Sequence, residues 1–443
     1  MTFEQFKQAC FSLALEKGCE SAEVYATSSD GFSVNVLKEE IVKYAVERSR
    51  GLNLRVLFNG RSGYAYTEVM EDPESLVDHA IDNAKAIENT DLNPMQGACE
   101  YPKITRKPNP VVDFSEEEKI RLALDLERDT LAYDPRVDRM GYCSVDTGIA
   151  ETHISNTLGL DANERERYSY LVLEPILKQD GDEQSGFAFK FGPEIVKYDD
   201  VIKEGVERAL MQFNASTVDS GEYRVLLRND AAADLLQAFC PMFFADQVQK
   251  NLSLLSGKRD QPIANPLVTI LDDPFEEDNP RAFDAEGVPS VLTTVVENGV
   301  LKSYLYNLKT AEKDGVASTS NAGRAGASAP VDTAPSNFYI VKGDKSFDDL
   351  KRQLNSGLII TEVSGLHAGL NAISGDFSLL AKGQLVENGE VVRSVDQITV
   401  AGNFLRLMQG IEALGSDLRF GIPMGGRVGS PSLLINGLVI SGK

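Results

Sequence analysis

The stretch from Gly365 to Ala401, GLHAGLNAISGDFSLLAKGQLVENGEVVRSVDQITVA, most constrains what this chain can fold into. Its glycines, Gly365, Gly369, Gly375, Gly383 and Gly389, separate short runs in which apolar and polar residues alternate. A period of two puts every second side chain on one face, the pattern of a half-buried β-strand. Asn388-Gly389 predicts a tight hairpin, because a type I′ turn needs positive φ at both central residues. Asp376-Phe377-Ser378 reads as a polar–aromatic–polar step on a strand. The pattern alone is satisfied by a sheet with turns and no chemistry.

The chain around this stretch has 443 residues, enough for two to four domains at roughly 100–200 residues each. Hydrophobic residues make up 42%, sufficient for real cores, yet no run approaches the ~20 apolar residues of a membrane span. The N-terminus, MTFEQFKQAC, shows neither the basic nor the apolar region of a secretory signal. Cys10, Cys19, Cys99, Cys143 and Cys240 are odd in number and scattered, which predicts reduced thiols in a cytoplasmic protein. A formal charge of −23 repels phosphate backbones and argues against direct binding to nucleic acid.

Thr2 and Gln5 form a capping-box pattern for a helix to Lys17 that Gly18 can close, with Phe3, Phe6, Cys10 and Leu13 at helical spacing. Short alternating runs follow at Glu23–Thr27, Phe32–Leu37, Leu52–Phe58 and Tyr64–Thr67. Pro73 to Glu88 reads as a second helix. The segment Asp91 to Asp113 carries Pro94, Pro102, Pro108 and Pro110 and reads as a linker. Ser115 and Glu118 then begin a helix to about Tyr133, Met140 to Phe191 reads as strands, and Pro193 to Phe213 as a helix. Helix–strands–helix thus occurs twice, giving two related α+β layers or one sheet fed by both. After Gly221 the texture changes: a strand at Tyr223–Leu227, an apolar helix at Asp230–Phe244 that Pro241 should break, then mostly strand and turn. The expected fold is α+β, with an N-terminal α+β domain at 1–105, a central one at 106–218, and a β-rich C-terminal domain at 219–443.

Several motifs together resemble the TldD/PmbA family, described as modulators of DNA gyrase and as metallopeptidase-related. They are Gly369-Leu370-Asn371, Ser374 to Ser378, Val386 to Glu390, Ile398 to Asn403, Phe283 to Gly287, Glu297 to Leu301, and Pro431 to Ile435 with Ile440-Ser441-Gly442. The match is close on the PmbA (TldE) side. It covers essentially the whole chain, most strongly after Gly221. The resemblance implies a peptide-cleaving system in which a TldE-like subunit pairs with a zinc-bearing TldD-like partner, and a homodimer when the chain is alone.

A TldD-type peptidase is expected to carry His-Glu-x-x-x-His on a helix and a cysteine near its C-terminus. Two histidines and a thiolate hold zinc and leave one position for water, whose proton the Glu takes. Here the motif positions fall on Leu236, Gln237 and Pro241. The histidines, His79, His153 and His367, show no helical pairing, and no cysteine follows Cys240. An amide has no useful pKa, so Gln237 is no general base. The resemblance therefore implies no catalytic residue, metal ligand or cofactor in this chain, with zinc expected in the partner. Nor does the sequence contain a Gly-x-Ser-x-Gly elbow, a P-loop or a dinucleotide fingerprint.

The remaining candidates are polar groups for an extended peptide: Arg324, His367, Asn371, Asp376 and Ser378. Arg324 lies in the small-residue segment Gly315 to Pro330, a flap or a surface loop, where it can meet a carboxylate or a peptide carbonyl. The 272–286 loop is rich in carboxylates but lacks calcium-loop spacing and reads as a solvated acidic loop. Two other functions remain open on these residues. One is a peptidase active alone through His367 with Asp376 and Glu362. The other is a non-enzymatic adaptor that binds gyrase-directed toxins or antitoxins.

Overall fold

The computed structural model describes residues 1–88, 93–423 and 425–443. It is an α+β fold whose chain divides into two compact units. The first comprises Met1–Phe213 with two short later stretches, Ala285–Pro289 and Arg324–Pro330; the second comprises Asn214–Asp284, Ser290–Gly323 and Val331–Lys443.

In the first unit the order is α1 (Phe3–Glu16), β1 (Ser21–Leu37), β2 (Glu40–Phe58), β3 (Arg61–Thr67), α2 (Pro73–Ala86), α3 (Glu116–Tyr133), β4 (Val137–Asn156), β5 (Asp161–Gln179), β6 (Asp182–Ser185), β7 (Ala188–Phe191) and α4 (Asp199–Leu210). Local chemistry starts the helices. Thr2 Oγ1 accepts from the Gln5 amide at 3.3 Å while Gln5 Oε1 accepts from the Thr2 amide at 3.0 Å. Ser115 and Glu118 do the same for α3. Each such cap stabilises its helix by about 1 kcal/mol.

The two helix–strands–helix segments feed one antiparallel sheet, of order β3-β2-β1-β4-β5-β6, with β7 also on β5. β1 is unbroken, so the runs Glu23–Thr27 and Phe32–Leu37 are parts of one strand. Its even-numbered residues serve two cores on one face. Ala22, Val24 and Ala26 join the cluster of α1 and α2, and Phe32, Val34 and Val36 join the cluster of α3 and α4. In the predicted linker, residues 91–92 lie outside the described ones; from Asn93 onward it is irregular up to a 3-10 turn at Pro110–Asp113. The helix expected from Pro193 is a 3-10 turn at Pro193–Val196 followed by α4, because its first residues lack the backbone partners of a full turn.

The second unit runs β8 (Gly221–Leu227), α5 (Asn229–Phe239), α6 (Ala245–Gln249), β9 (Ile270–Asp272), β10 (Thr293–Glu297), β11 (Val300–Leu301), α7 (Leu308–Asp314), β12 (Ala322–Gly323), β13 (Asp332–Thr333), β14 (Asn337–Ile340), α8 (Phe347–Leu354), β15 (Gly357–Ser364), β16 (Asp376–Glu387), β17 (Glu390–Asn403), α9 (Phe404–Gln409), β18 (Ile411–Leu414), β19 (Arg419–Phe420), β20 (Arg427–Ser430) and β21 (Leu433–Ser441). Asn388 and Gly389 have φ of 52° and 79°, as the β16–β17 hairpin requires. One sheet has the order β17-β16-β15-β8-β21-β18, and a further pairing joins β17 to β21. Thr399, Val400 and Ala401 there face Ser441, Ile440 and Val439, so five strands close into a ring. A second sheet has the order β11-β10-β9-β14-β20-β19. α5 stops at Phe239, and Pro241 sits in the 3-10 turn that follows, as a residue without a backbone donor dictates.

Candidate functional site

Where β16 leaves its preceding turn, the second unit opens a groove of about 780 Å³. Its wall is built by Ser374 and Asp376, the end of β17 at Ala401–Asn403, α9, and the Asn436–Val439 stretch of β21. Leu254, Leu405 and Leu438 give it apolar surface; Glu222, Lys258, Asn403, Arg406 and Asn436 give it polar groups. The ladder explains the placement. Asp376 pairs with Asn403 across β16–β17, and the alternation that buries Phe377 turns Asp376 and Ser378 outward.

The turn itself is tightly determined. Gly375 has φ of 80°, and a Cβ there would come 2.7 Å from Leu254 Cδ2 and 3.1 Å from Asn403 Nδ2. Its carbonyl accepts from the Phe404 amide at 2.7 Å, which starts α9. Asn403 Nδ2 donates to Asp376 Oδ1 at 2.9 Å and to the Ser374 carbonyl at 2.9 Å. The hydrogen bonds from Asn403 and from Ser374, with Arg406 close by, hold the Asp376 carboxyl below the ordinary carboxylate range. Asp376 is therefore an anion at neutral pH, suited to accept N–H donors and too weak a base for proton abstraction. Among the described residues neither Lys258 nor Arg406 makes a side-chain hydrogen bond or ion pair.

The other candidates are placed differently. Asn371 is exposed, but its Oδ1 accepts from the amides of Ile373 at 2.9 Å and Ser374 at 3.2 Å, so that oxygen already shapes the turn. Ser378 is exposed on β16, with its amide donated to the Gly369 carbonyl at 2.7 Å. His367 is exposed in the turn after β15, and no described contact joins it to Asp376 or Glu362. Glu362 instead meets Lys382 at 3.7 Å and accepts from Ser364 Oγ at 3.2 Å. Arg324 does meet a carboxylate. Its fully buried guanidinium lies 3.7 Å from Glu23 Oε1 and 4.3 Å from the ring centroid of Tyr25, inside the first unit. So enclosed, it has no surface to offer a peptide. His153 bonds Asp161 at 2.6 Å and packs on Phe3, and His79 is exposed on α2.

The positions of the zinc motif do not fit a metal. Leu236 is buried in the core, Gln237 is a half-buried amide close to Gly421, and Pro241 has no donor atom. The nearby Cys240 is buried, which pushes its thiol well above the ordinary range, with Asp272 adding to the effect. Among the described residues no three or more His, Cys, Asp or Glu side chains are grouped as a metal would need.

Part of the acidic loop is buried, against the expectation of a solvated one. Asp272 accepts from Asn321 Nδ2, the Ser336 amide and Ser336 Oγ, each at 2.8 Å, and Asp284 accepts from the Ala322 amide at 3.0 Å. Burial raises the Asp272 carboxyl against the opposing pull of Arg281 and these donors. What the sequence reading missed in the groove are Asn403, Arg406, Lys258 and Glu222. Asn403 alone left a trace, as the end of an already singled-out motif.

Family models match three consecutive spans. They are PmbA/TldA metallopeptidase domain 1 at residues 22–84, the central domain at 109–213 and the C-terminal domain at 220–442. A metalloprotease of Methanothermobacter thermautotrophicus is 28% identical over 430 residues, covering 94% of this chain and 92% of that protein. The metalloprotease PmbA homologue of Haemophilus influenzae is 25% identical, covering 99% of this chain and 97% of that protein. Among solved structures, a Thermotoga maritima protein described as a candidate modulator of a DNA gyrase superposes with a TM-score of 0.91 at 34% identity, over 99% of this chain and 100% of that one. TldE of Thermococcus kodakarensis shares the fold, with a TM-score of 0.89 at 21% identity over the same shares.

Proposed function

Because the chain belongs to the PmbA/TldD family of metallopeptidase-related proteins, we propose that it is a TldE-like subunit that holds extended peptide for a zinc-bearing TldD-like partner. The observation that carries this reading is a contrast within the second unit. The positions on α5 and the turn after it where a metal motif would lie hold Leu236, Gln237 and Pro241, while the groove beside β16 presents polar groups of both signs. In this reading the chain supplies no catalytic residue and no cofactor of its own. Its substrates are unfolded or extended peptides, including inhibitors of gyrase. The protein works in the cytoplasm, and it self-associates when the partner is absent. We set its domain boundaries at 1–105, 106–218 and 219–443, each containing one of the matched spans.

The groove's chemistry suits that task. Ionised Asp376 accepts peptide N–H groups or an amine, and Lys258 and Arg406 donate to carbonyl or carboxylate oxygens. Contacts of this kind address the main chain and demand little of peptide sequence. A peptidase acting alone through His367, Asp376 and Glu362 receives no support from the geometry, since no described contact joins these residues.

The reading is tested by placing a photo-crosslinking residue at Leu405 in the groove and, separately, at the exposed Leu158 of the first unit. With a labelled unstructured peptide and the TldD-like subunit present, Leu405 should crosslink and Leu158 should not. Equal labelling at both positions would refute the groove.

A further inference from the structure

We propose that the outer half of β2 is an interface for a second copy of this chain, formed by antiparallel edge-to-edge pairing centred on Ala45. β3 covers β2 only from Leu52 to Phe58. From Glu40 to Gly51, β2 has β1 on one side and, among the described residues, no strand or other backbone partner on the other. Its apolar side chains are about half exposed: Ile41 47%, Val42 55%, Val46 51% and Tyr44 45%, the last with its ring edge-on to Phe32 and its hydroxyl donating to Glu116. An open edge with four large apolar residues in six positions is a template for another strand, and natural sheets ordinarily blunt such edges with proline, bulges or charged side chains, of which only the charges are present here. This stretch, EIVKYAVERSRG, has no proline, and the β1–β2 ladder is regular from Ser21 to Asn35, with a shift only beside the hairpin tip.

The sequence also says which occupant fits. Two copies related by a two-fold axis at Ala45 oppose Glu40 to Arg50, Lys43 to Glu47 and Tyr44 to Val46, each pair twice. Every charge except Arg48 then meets its opposite, and Arg48 already binds Asp30 of its own chain at 3.0 Å. Moving the axis half a residue toward Val46 sets Lys43 against Arg48, and half a residue toward Tyr44 sets Lys43 and Glu47 against apolar residues and leaves only Glu39 of the hairpin turn facing Arg50. A full residue toward Tyr44 keeps only the Glu40–Arg48 pair and sets Lys38 against Arg50. Opposed charges and aromatic–β-branched pairs each favour a given cross-strand register, and like charges oppose it. A contact in which the same patch meets itself closes as a two-fold dimer and leaves no growing end. The interface rests on the first unit alone and does not depend on the peptide-holding reading of the second.

Charge exchange tests it. Lys43→Glu and Glu47→Lys each place like charges opposite one another at both symmetry-related contacts. By analytical ultracentrifugation at micromolar concentration, the unaltered chain should run at twice the chain mass, and each single variant should dissociate at least about tenfold more readily. The double variant K43E/E47K should regain the dimer, and so should an equimolar mixture of the two single variants. Residues 43 and 47 of one strand are about 13 Å apart, so only contact between chains explains rescue by mixing. Lys43 and Glu47 are both exposed, and unchanged thermal melts will show that the variants fold. A monomeric unaltered chain, or a dimer indifferent to both single variants, would overturn the proposal. So would loss of dimer that neither the double variant nor mixing restores.

Discussion

Asn403 Nδ2 bridges the two sides of the β16 entrance, donating to Asp376 Oδ1 and to the Ser374 carbonyl at 2.9 Å each. One amide thus fixes both the rotamer of the groove's carboxylate and the turn that presents it.

Asp376→Ala should leave the melting temperature almost unchanged, because the side chain is exposed and its partner Asn403 keeps the Ser374 bond. In the reconstituted pair it should raise KM for an unstructured peptide severalfold with little change in kcat, the signature of lost ground-state contact. Calorimetry and steady-state kinetics check the two parts.

Asn371→Ala should behave in the opposite way. Its Oδ1 caps two backbone amides of the turn, so removal should cost about 1 kcal/mol of stability while the folded fraction keeps its peptide affinity. Gly375→Ala should cost more, since it adds a Cβ at positive φ against Leu254. Denaturant titration measures both.

Phe377→Ala removes a buried ring that packs edge-on against Phe239 at 6.1 Å, and about 3–5 kcal/mol should be lost. The same titration should show the loss without a change of slope attributable to residual structure.

Much of this was legible in the sequence, for reasons that differ by element. The caps at Thr2 and Ser115 and the Asn388-Gly389 turn depend on residues within a few positions, so local chemistry fixes them. Phe377 inward and Asp376 outward follow from the strand period. The groove does not, because it needs β17 brought to β21 and Lys258 and Glu222 brought to its rim, contacts between residues far apart in the chain. Arg324 was legible as a cation seeking a carboxylate, but its partner Glu23 lies some three hundred positions earlier, and nothing local names it. The burial of Asp272 was hidden likewise, since its donors come from Asn321 and Ser336.

Glu23 stands between two buried cations, 3.8 Å from Arg55 Nη1 and 3.7 Å from Arg324 Nη2. Glu23→Gln should therefore cost about 3–5 kcal/mol, because it leaves two guanidiniums without their counter-charge. Adding Arg324→Met to Glu23→Gln should recover part of that loss. Unfolding curves of the single and double variants check the coupling.

Asp134 is held at about 2 by its hydrogen bonds and charge pairing with Arg136. A carboxyl lowered on folding adds stability above its unfolded value near ~3.9, and loses it as pH falls toward about 2. Asp134→Asn should lower Tm at pH 7 by roughly 2 °C, solvent screening keeping the effect small, and should make no difference near pH 2 if the fold survives there. Melts across this pH range check the sign.

The central claim is that this chain holds peptide and leaves the chemistry to a zinc-bearing partner. Hydrolysis of an unstructured, end-labelled peptide should be followed with the purified chain alone, with the TldD-like subunit alone, and with both, in the presence of zinc. The account predicts no turnover by this chain alone and full turnover only by the mixture. It also predicts that Asp376→Ala raises KM in the mixture. Steady turnover by this chain alone, undiminished by a chelator and lost on mutating His367, would contradict it.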